Sequence, residues 1–315
     1  MYSSNMTRII SLDENVLRAL DFFIKNKPAF LDIDKFNLPF VVGSGNAYNT
    51  GLILFSEIAA IFADESNFRN LIASFAKAIR SGLIKDAVII SASGGKDSVW
   101  EIMLAKKHSL HTSLLTTKKE SQASKIADDV YIFQSISEPY TYNVSTYMGM
   151  VLSKTLEAPS KIKDYIKSLK FPNNFGNYKS YSFVLPDKFM HICSMLDIKK
   201  SELFGPNLSL RAFSLGHARH AKFVIRSKDE LVISIGVKNV YFGDPNHRWH
   251  IPLPDFIDFA GVMATTYYII GKIQSSKPQY FKENINYYVS DYGPKAYGRT
   301  IPFDLIVPGS KIKQI

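Results

Sequence analysis

Apolar positions near the start of the chain recur at helical spacing. Val16, Leu17, Leu20, Phe23 and Ile24 form one stripe, which predicts a helix over 12–25 beside the first sheet. The pattern then changes period. Short apolar runs at 38–42, 87–91, 112–115 and 130–133 read as buried strands, the first three followed by polar or glycine-rich loops. Helical stretches follow these loops at 50–63, 99–107 and 121–128, with Val99, Ile102 and Met103 as the inward positions of the second. Strands alternating with helices predict a parallel sheet. Glu138-Pro139 breaks the pattern, and a helix from about 143 turns Val144, Tyr147, Met148, Val151 and Leu152 inward.

The second half is less regular. A polar helix at 161–169, loop chemistry at 171–181 and a helix at 186–196 read as a helical connection between domains. Strands are expected at 211–215, 231–236, 240–242 and 250–253, and the period of 221–228 fits either a helix or half of a hairpin. A long helix over 256–275 carries Phe259, Val262, Met263, Thr266, Tyr267 and Ile270 on its core face. The expected division is 1–156 for the opening helix and first α/β domain, 157–200 for the connection, and 201–315 for a shortened second domain with an aromatic tail.

With 315 residues, 46% of them hydrophobic, the chain can bury a large core. Its single cysteine, Cys193, excludes an intramolecular disulfide and a thiolate metal cluster, which fits a cytoplasmic protein. No leader-like stretch opens the chain, and the most apolar run, 259–273, is interrupted by Thr265 and Thr266, so secretion and membrane insertion are not expected. The net charge of +10 comes from scattered residues. We read it as a field that favours small anionic ligands, with neither nucleic acid nor membrane as a partner.

The chemistry concentrates at 85–98, KDAVIISASGGKDS. A buried strand runs into Ser91, Ser93, Gly94, Lys96 and Ser98, and a helix starts there. Glycines admit an oxyanion to the backbone, hydroxyls and N–H groups point into the loop, and the helix end and Lys96 add positive charge. The bland alternative is a tight turn capped by Asp97 or Ser98. A second loop of the same kind, Gly43, Ser44, Gly45 and Asn46, follows the first strand. In a right-handed parallel sheet both loops lie at the carboxyl edge, where open α/β sheets bind ligands.

Three segments resemble the sugar isomerase (SIS) domain family, which includes the isomerase half of glucosamine-fructose-6-phosphate synthase and the phosphoglucose/phosphomannose isomerases. VVGSGNAYNTG (41–51) is similar to the family's first loop, VIISASGGKDS (88–98) to its S-x-S-G-x-T-x-E phosphate loop, and LLTTKKESQASKIADDVYIF (114–133) to the segment that follows. Ser145-Thr146 stands at the family's closing helix. Lys96 replaces the loop threonine, Ser98 the following glutamate, and Asn46-Ala47 a hydroxyl pair. A lysine can still hold phosphate as a point charge, so phosphate binding survives these changes more readily than sugar specificity does. SGGKDS also resembles the SGGxDS loop of N-type ATP pyrophosphatases, where it normally follows the first strand of its domain.

The resemblance implies two SIS-type, flavodoxin-like αβα domains, the second divergent or shortened, and a phosphorylated sugar as ligand. It implies phosphate contacts from Ser91, Ser93, Gly94, Lys96 and Ser98, further substrate contacts from Gly43, Ser44, Gly45, Asn46 and Ser145, and completion of the site in a homodimer. Aldose-ketose isomerisation in this family uses a glutamate base and a histidine that assists ring opening. Glu230 lies at about the family's distance for the base, and His217 and His220 are the candidate histidines. A non-catalytic phosphosugar-binding protein is the alternative. No cofactor or metal is expected, since His217 and His220 have no carboxylate or thiolate partner nearby in sequence.

Overall fold

The structure, a computed structural model, describes residues 9–310. In chain order the elements are α1 (Leu12–Lys25), β1 (Phe40–Val42), α2 (Asn46–Leu54), β2 (Ile61–Ala63), α3 (Phe68–Ser74), α4 (Ala76–Arg80), β3 (Asp86–Ile90), α5 (Asp97–Lys107), β4 (His111–Thr116) and β5 (Asp129–Ile132). They continue as β6 (Glu138–Pro139), α6 (Val144–Thr155), α7 (Pro159–Ser168), β7 (Ser180–Leu185), α8 (Met190–Phe204), β8 (Ser209–Ser214) and α9 (Leu215–His220). The remainder are β9 (Glu230–Ile235), β10 (Arg248–Ile251), α10 (Phe259–Ser276), α11 (Tyr280–Val289), α12 (Tyr292–Ala296) and β11 (Ile306–Val307). The chain forms two units, each with its own parallel sheet.

The first unit comprises Asn26–Ser137, Ser145–Leu156 and residues 308–310. Its strands lie in the order β2-β1-β3-β4-β5, all parallel. Right-handed crossovers put α2 on one face and α3, α4 and α5 on the other. There Phe40, Val42, Ala87, Ile89 and Leu114 of the strands pack against Phe68, Ile72 and Ile102 of the helices. Two helix expectations are corrected. The helix expected over 50–63 ends at Leu54, and its last residues form the edge strand β2; the stretch 121–128 is a series of turns. On α5 the inward stripe is Ser98, Glu101, Ile102 and Ala105, whereas Met103 is 62% exposed.

The second unit comprises residues 9–25, Glu138–Val144 and Glu157–Val307. Its order, β10-β9-β7-β8, all parallel, repeats the first sheet without a fifth strand. Strand β7 falls inside the stretch read as a helical connection, and it is the strand on which both β8 and β9 pair. Helix α1 packs with α7 and α10 of this unit rather than beside the first sheet. Residues 240–242 form no strand, and 221–228 are turn and loop. The C-terminal aromatics divide between inside and outside: Phe281 is buried, whereas Tyr287, Tyr292 and Tyr297 are exposed.

Strand alternation gives this second sheet two unlike faces. Tyr181, Phe183, Leu185, Leu231, Ile233 and Ile235 make one face wholly buried and apolar. The opposite face carries Ser182, Arg211, Glu230 and Ser234 beside Val184, Phe213 and Val232. Helix α8 bridges β7 to β8 on the first side. The return crossovers, β8 to β9 and β9 to β10, run on the other, where α9 is the one short helix among loops. No helix of the described residues is long and apolar enough to cross a membrane.

The Glu157 carboxylate seats α10. It accepts the backbone N–H of Asp258, Ala260 and Gly261 at 2.7, 2.8 and 2.9 Å, filling the donors that begin the helix. Glu157→Ala is expected to destabilise the protein by roughly 2 kcal/mol in urea denaturation. An unchanged midpoint would show that water meets these amides equally well.

Candidate anion-binding site

In the first unit the order of strands reverses direction at β1 and β3, and the loops after these two strands flank that point. Both loops enter their helices through the same backbone conformation. Gly45 precedes α2 at φ 57°, ψ −120°, and Lys96 precedes α5 at φ 56°, ψ −126°. Glycine adopts this region freely; for lysine it costs on the order of 1–3 kcal/mol. Neither helix has a side-chain cap on its N-terminal amides. Those donors face the carboxyl edge with no side chain supplied to meet them.

Neighbouring segments hold the β3 loop in shape. Thr117 donates its N–H and its hydroxyl to Ala92 O at 3.2 and 2.9 Å, and the Ala123 N–H reaches Gly94 O at 3.0 Å. Gly94 has φ 58°, and a side chain there would run into Ser121. Ser93 and Lys96 are exposed and Ser91 is half-buried. Among the described residues neither the Ser91 nor the Ser93 hydroxyl is committed to a protein partner. Across the gap, Asn46 is 8% exposed and its Oδ1 has no partner. The structure thus brings Ser91, Ser93, Gly94 and Lys96 together on one loop, and Gly43, Ser44, Gly45 and Asn46 on the loop of the adjacent strand.

Two expected contacts are corrected. Ser98 is 2% exposed and donates its hydroxyl to Gly95 O at 2.8 Å, so it shapes the loop instead of facing a ligand. Ser145 is fully buried, and its hydroxyl accepts the Ile136 N–H at 3.1 Å, which ties α6 to the preceding chain.

The second unit uses its own carboxylates at other helix starts. Where β8 enters α9, Asp187 from the end of β7 accepts the Gly216 N–H at 2.8 Å. That bond, then the Ser214 hydroxyl, then the charges of Arg219 and His217 hold the Asp187 carboxyl below its ordinary range. The loop is therefore filled by the chain's own carboxylate, as Glu157 fills the start of α10. His217 and His220 stand on α9 at this carboxyl edge. Glu230 does not. It opens β9 at the amino edge, is 5% exposed, and accepts Ser182 Oγ at 2.5 Å and Arg211 NH2 at 2.6 Å. Its carboxylate is thus engaged with Arg211 at the edge opposite the α9 histidines. The other two clustered histidines are also engaged, His247 with Tyr178 at 3.0 Å and His250 with Ser234 at 3.2 Å. Among the described residues no group of His, Cys, Asp or Glu is gathered to hold a metal.

No family model matches the chain, and no curated protein does. Solved structures do match. The C-terminal domain of glucosamine-fructose-6-phosphate aminotransferase from Francisella tularensis aligns with TM-score 0.56 at 12% identity, over 84% of this chain and 94% of that one. This is the two-domain SIS fold. Glucosamine-6-phosphate deaminase from Thermotoga maritima aligns with TM-score 0.55 at 15% identity, over 84% and 91% of the two chains. Tagatose-6-phosphate ketose/aldose isomerase from Escherichia coli aligns with TM-score 0.53 at 12% identity, over 84% and 90%.

Glu101 is the group near this edge that the sequence reading passed over. It occupies an inward position of α5, is 2% exposed, and its Oε1 has no partner. Its spacing from Ser98, Ile102 and Ala105 (i−3, i+1, i+4) is the signal that places it inside. Burial, and then the charges of Asp97, Glu65 and Asp64, push its carboxyl up to about 8. A raised carboxyl pKa means that the folded state prefers the proton. Stability is therefore unaffected below the ordinary value of 4.5, and falls as pH rises from there through about 8. Glu101→Gln keeps the shape without the charge. It is expected to stabilise the protein by roughly 1–3 kcal/mol above about pH 9, and to flatten the decline measured by thermal melts across the pH range. A variant that follows the parent's pH profile would show that Glu101 is hydrated or ionised in the folded state.

Proposed function

We propose that the chain binds a phosphorylated sugar at the carboxyl edge of its first sheet, the phosphate seated in the β3 loop. The observation that carries this reading is the pair of loops after the adjacent strands β1 and β3, where α2 and α5 start without a side-chain cap beside the uncommitted hydroxyls of Ser91 and Ser93 and beside Lys96. A dianionic phosphate has the charge and the acceptor oxygens to satisfy such a loop. The fold shared with a deaminase and an isomerase named for sugar phosphates supports a sugar as the remainder of the ligand.

Binding without isomerisation is the form of this reading that the geometry favours, because Glu230 is bound to Arg211 at the far edge of its sheet. Isomerase chemistry would need another proton-transfer group at the carboxyl edge. A coupled assay with fructose 6-phosphate separates the two, since a binder shows a thermal shift and no turnover. Stabilisation by Mg-ATP and not by any sugar phosphate would assign the β3 loop to pyrophosphatase chemistry. Homodimerisation belongs to the proposal too, and sedimentation tests it.

Two variants probe the loop. Ser93→Ala is expected to weaken sugar-phosphate binding by roughly 1–2 kcal/mol in a titration, the scale of a hydrogen bond to a charged group. Unaltered affinity would remove this loop from the site. Lys96→Gly relieves the backbone at φ 56° and removes the charge. We expect it to raise folded stability by roughly 1 kcal/mol while weakening binding and its dependence on salt. Loss of stability would mean that Lys96 serves the fold.

A further inference from the structure

We propose that the thinly covered face of the second sheet is a docking surface for an anionic lipid bilayer, formed by the two crossover loops 221–228 and 236–243. Between Arg211 and Gly243 the acidic residues are Asp229 and Glu230, and both are paired, with Lys179 at 2.9 Å and Arg211 at 2.6 Å. The remaining charges, Arg219, Lys222, Arg226, Lys228 and Lys238, are all basic and all exposed. Apolar side chains stand among them. Val224 and Ile225 on the first loop are 53% and 78% exposed, and Val240 and Tyr241 on the second are 48% and 73% exposed.

The two loops are built to hold these residues outward. Phe223 and Phe242 lie beneath them with rings stacked 5.8 Å apart, anchored on Val184, Ala218 and Val232. Arg248 ties the second loop down by donating to the carbonyls of Val240, Phe242 and Gly243 at 3.0, 2.8 and 2.8 Å. Four apolar side chains exposed on adjoining loops offer an apolar contact surface. The basic residues specify its occupant. Lysine is depleted at protein interfaces, whereas three of the five charges here are lysines. Near an anionic bilayer lysine and arginine serve equally, aliphatic tips enter the interfacial layer, and tyrosine suits the headgroup level. The chain-wide scatter of basic residues hides this local run, which is why composition alone argued against a membrane partner. The surface binds from outside and needs no spanning helix.

The test is co-sedimentation of the full chain with vesicles of phosphatidylcholine alone and of equimolar phosphatidylcholine and phosphatidylglycerol, at low and high salt. Binding to the anionic vesicles alone, weakened by salt, is expected. Ile225→Asp and the pair Lys222→Glu with Arg226→Glu should each reduce it at least about tenfold, with melting temperature unchanged. These positions are exposed, so the variants are expected to fold; the neutral Ile225→Ser covers the case in which Ile225→Asp does not. Absence of binding to anionic vesicles at low salt overturns the proposal. It is equally overturned if Ile225 variants bind as well as the parent, if a single-stranded RNA oligonucleotide binds more tightly than vesicles with the same variant dependence, or if the variants change sedimentation of the free protein, which would make the face a contact between copies.

Discussion

A parallel strand that delivers the chain into a helix leaves several N–H groups pointing past the carboxyl edge, and each needs an acceptor. This protein meets the requirement in two ways. In the second unit, Asp187 reaches the Gly216 amide, and Glu157 takes the amides of Asp258, Ala260 and Gly261. In the first, α2 and α5 begin at Gly45 and Lys96 without a side-chain acceptor. The same backbone grammar thus ends on the chain's own carboxylates at α9 and α10 and on uncapped starts at α2, α5 and α8. That difference lies in a few carboxylates and not in topology, since both sheets follow one strand order apart from the absent fifth strand.

The second sheet departs from the first mainly in its faces. A sheet covered by helices on both sides needs apolar residues at successive strand positions, and β3 supplies them at Ala87, Val88, Ile89 and Ile90. In the second sheet Ser182, Arg211 and Glu230 fall together on one side, although β7 and β9 are buried on both faces. Their network is closed internally, with Glu230 accepting from both Ser182 and Arg211. Such a face does not call for a full helical layer, and the chain covers it with α9 and loops.

What could be read from the sequence follows the same physics. Helix α1 and the passage from β3 into α5 were legible because one has a clean apolar stripe and the other an abrupt change from β-branched residues to Ser and Gly. Strand β2 was hidden because three residues, Ile61–Ala63, extend an apolar stretch that also fits a helix. Strand β7 was hidden because its first residues, Ser180 and Tyr181, end a polar, glycine-containing stretch that reads as loop. That Gly43 and Gly45 share one loop, and Ser91, Ser93 and Lys96 the next, was legible because spacing within one segment fixes their neighbourhood. Glu230 was not, because whether a carboxylate faces the carboxyl or the amino edge depends on where its strand begins. Ser98 and Ser145 show a further limit: spacing does not tell that a hydroxyl is buried and bonded to a neighbouring carbonyl or amide.

Lys96 joins the fold to the site most directly. The structure contains its own control, since Gly45 performs the same backbone turn one strand away with almost the same angles. A chain selected only for the turn would be more stable with glycine at both places. Replacing glycine by lysine adds strain and, on an exposed loop of a protein with net charge +10, adds repulsion. Both costs are offset if a negative group sits over the uncapped start of α5, where the ammonium, the helix amides and the serine hydroxyls act on the same ligand. The strained lysine is thus one place where the backbone of the fold and the charge of the candidate site meet.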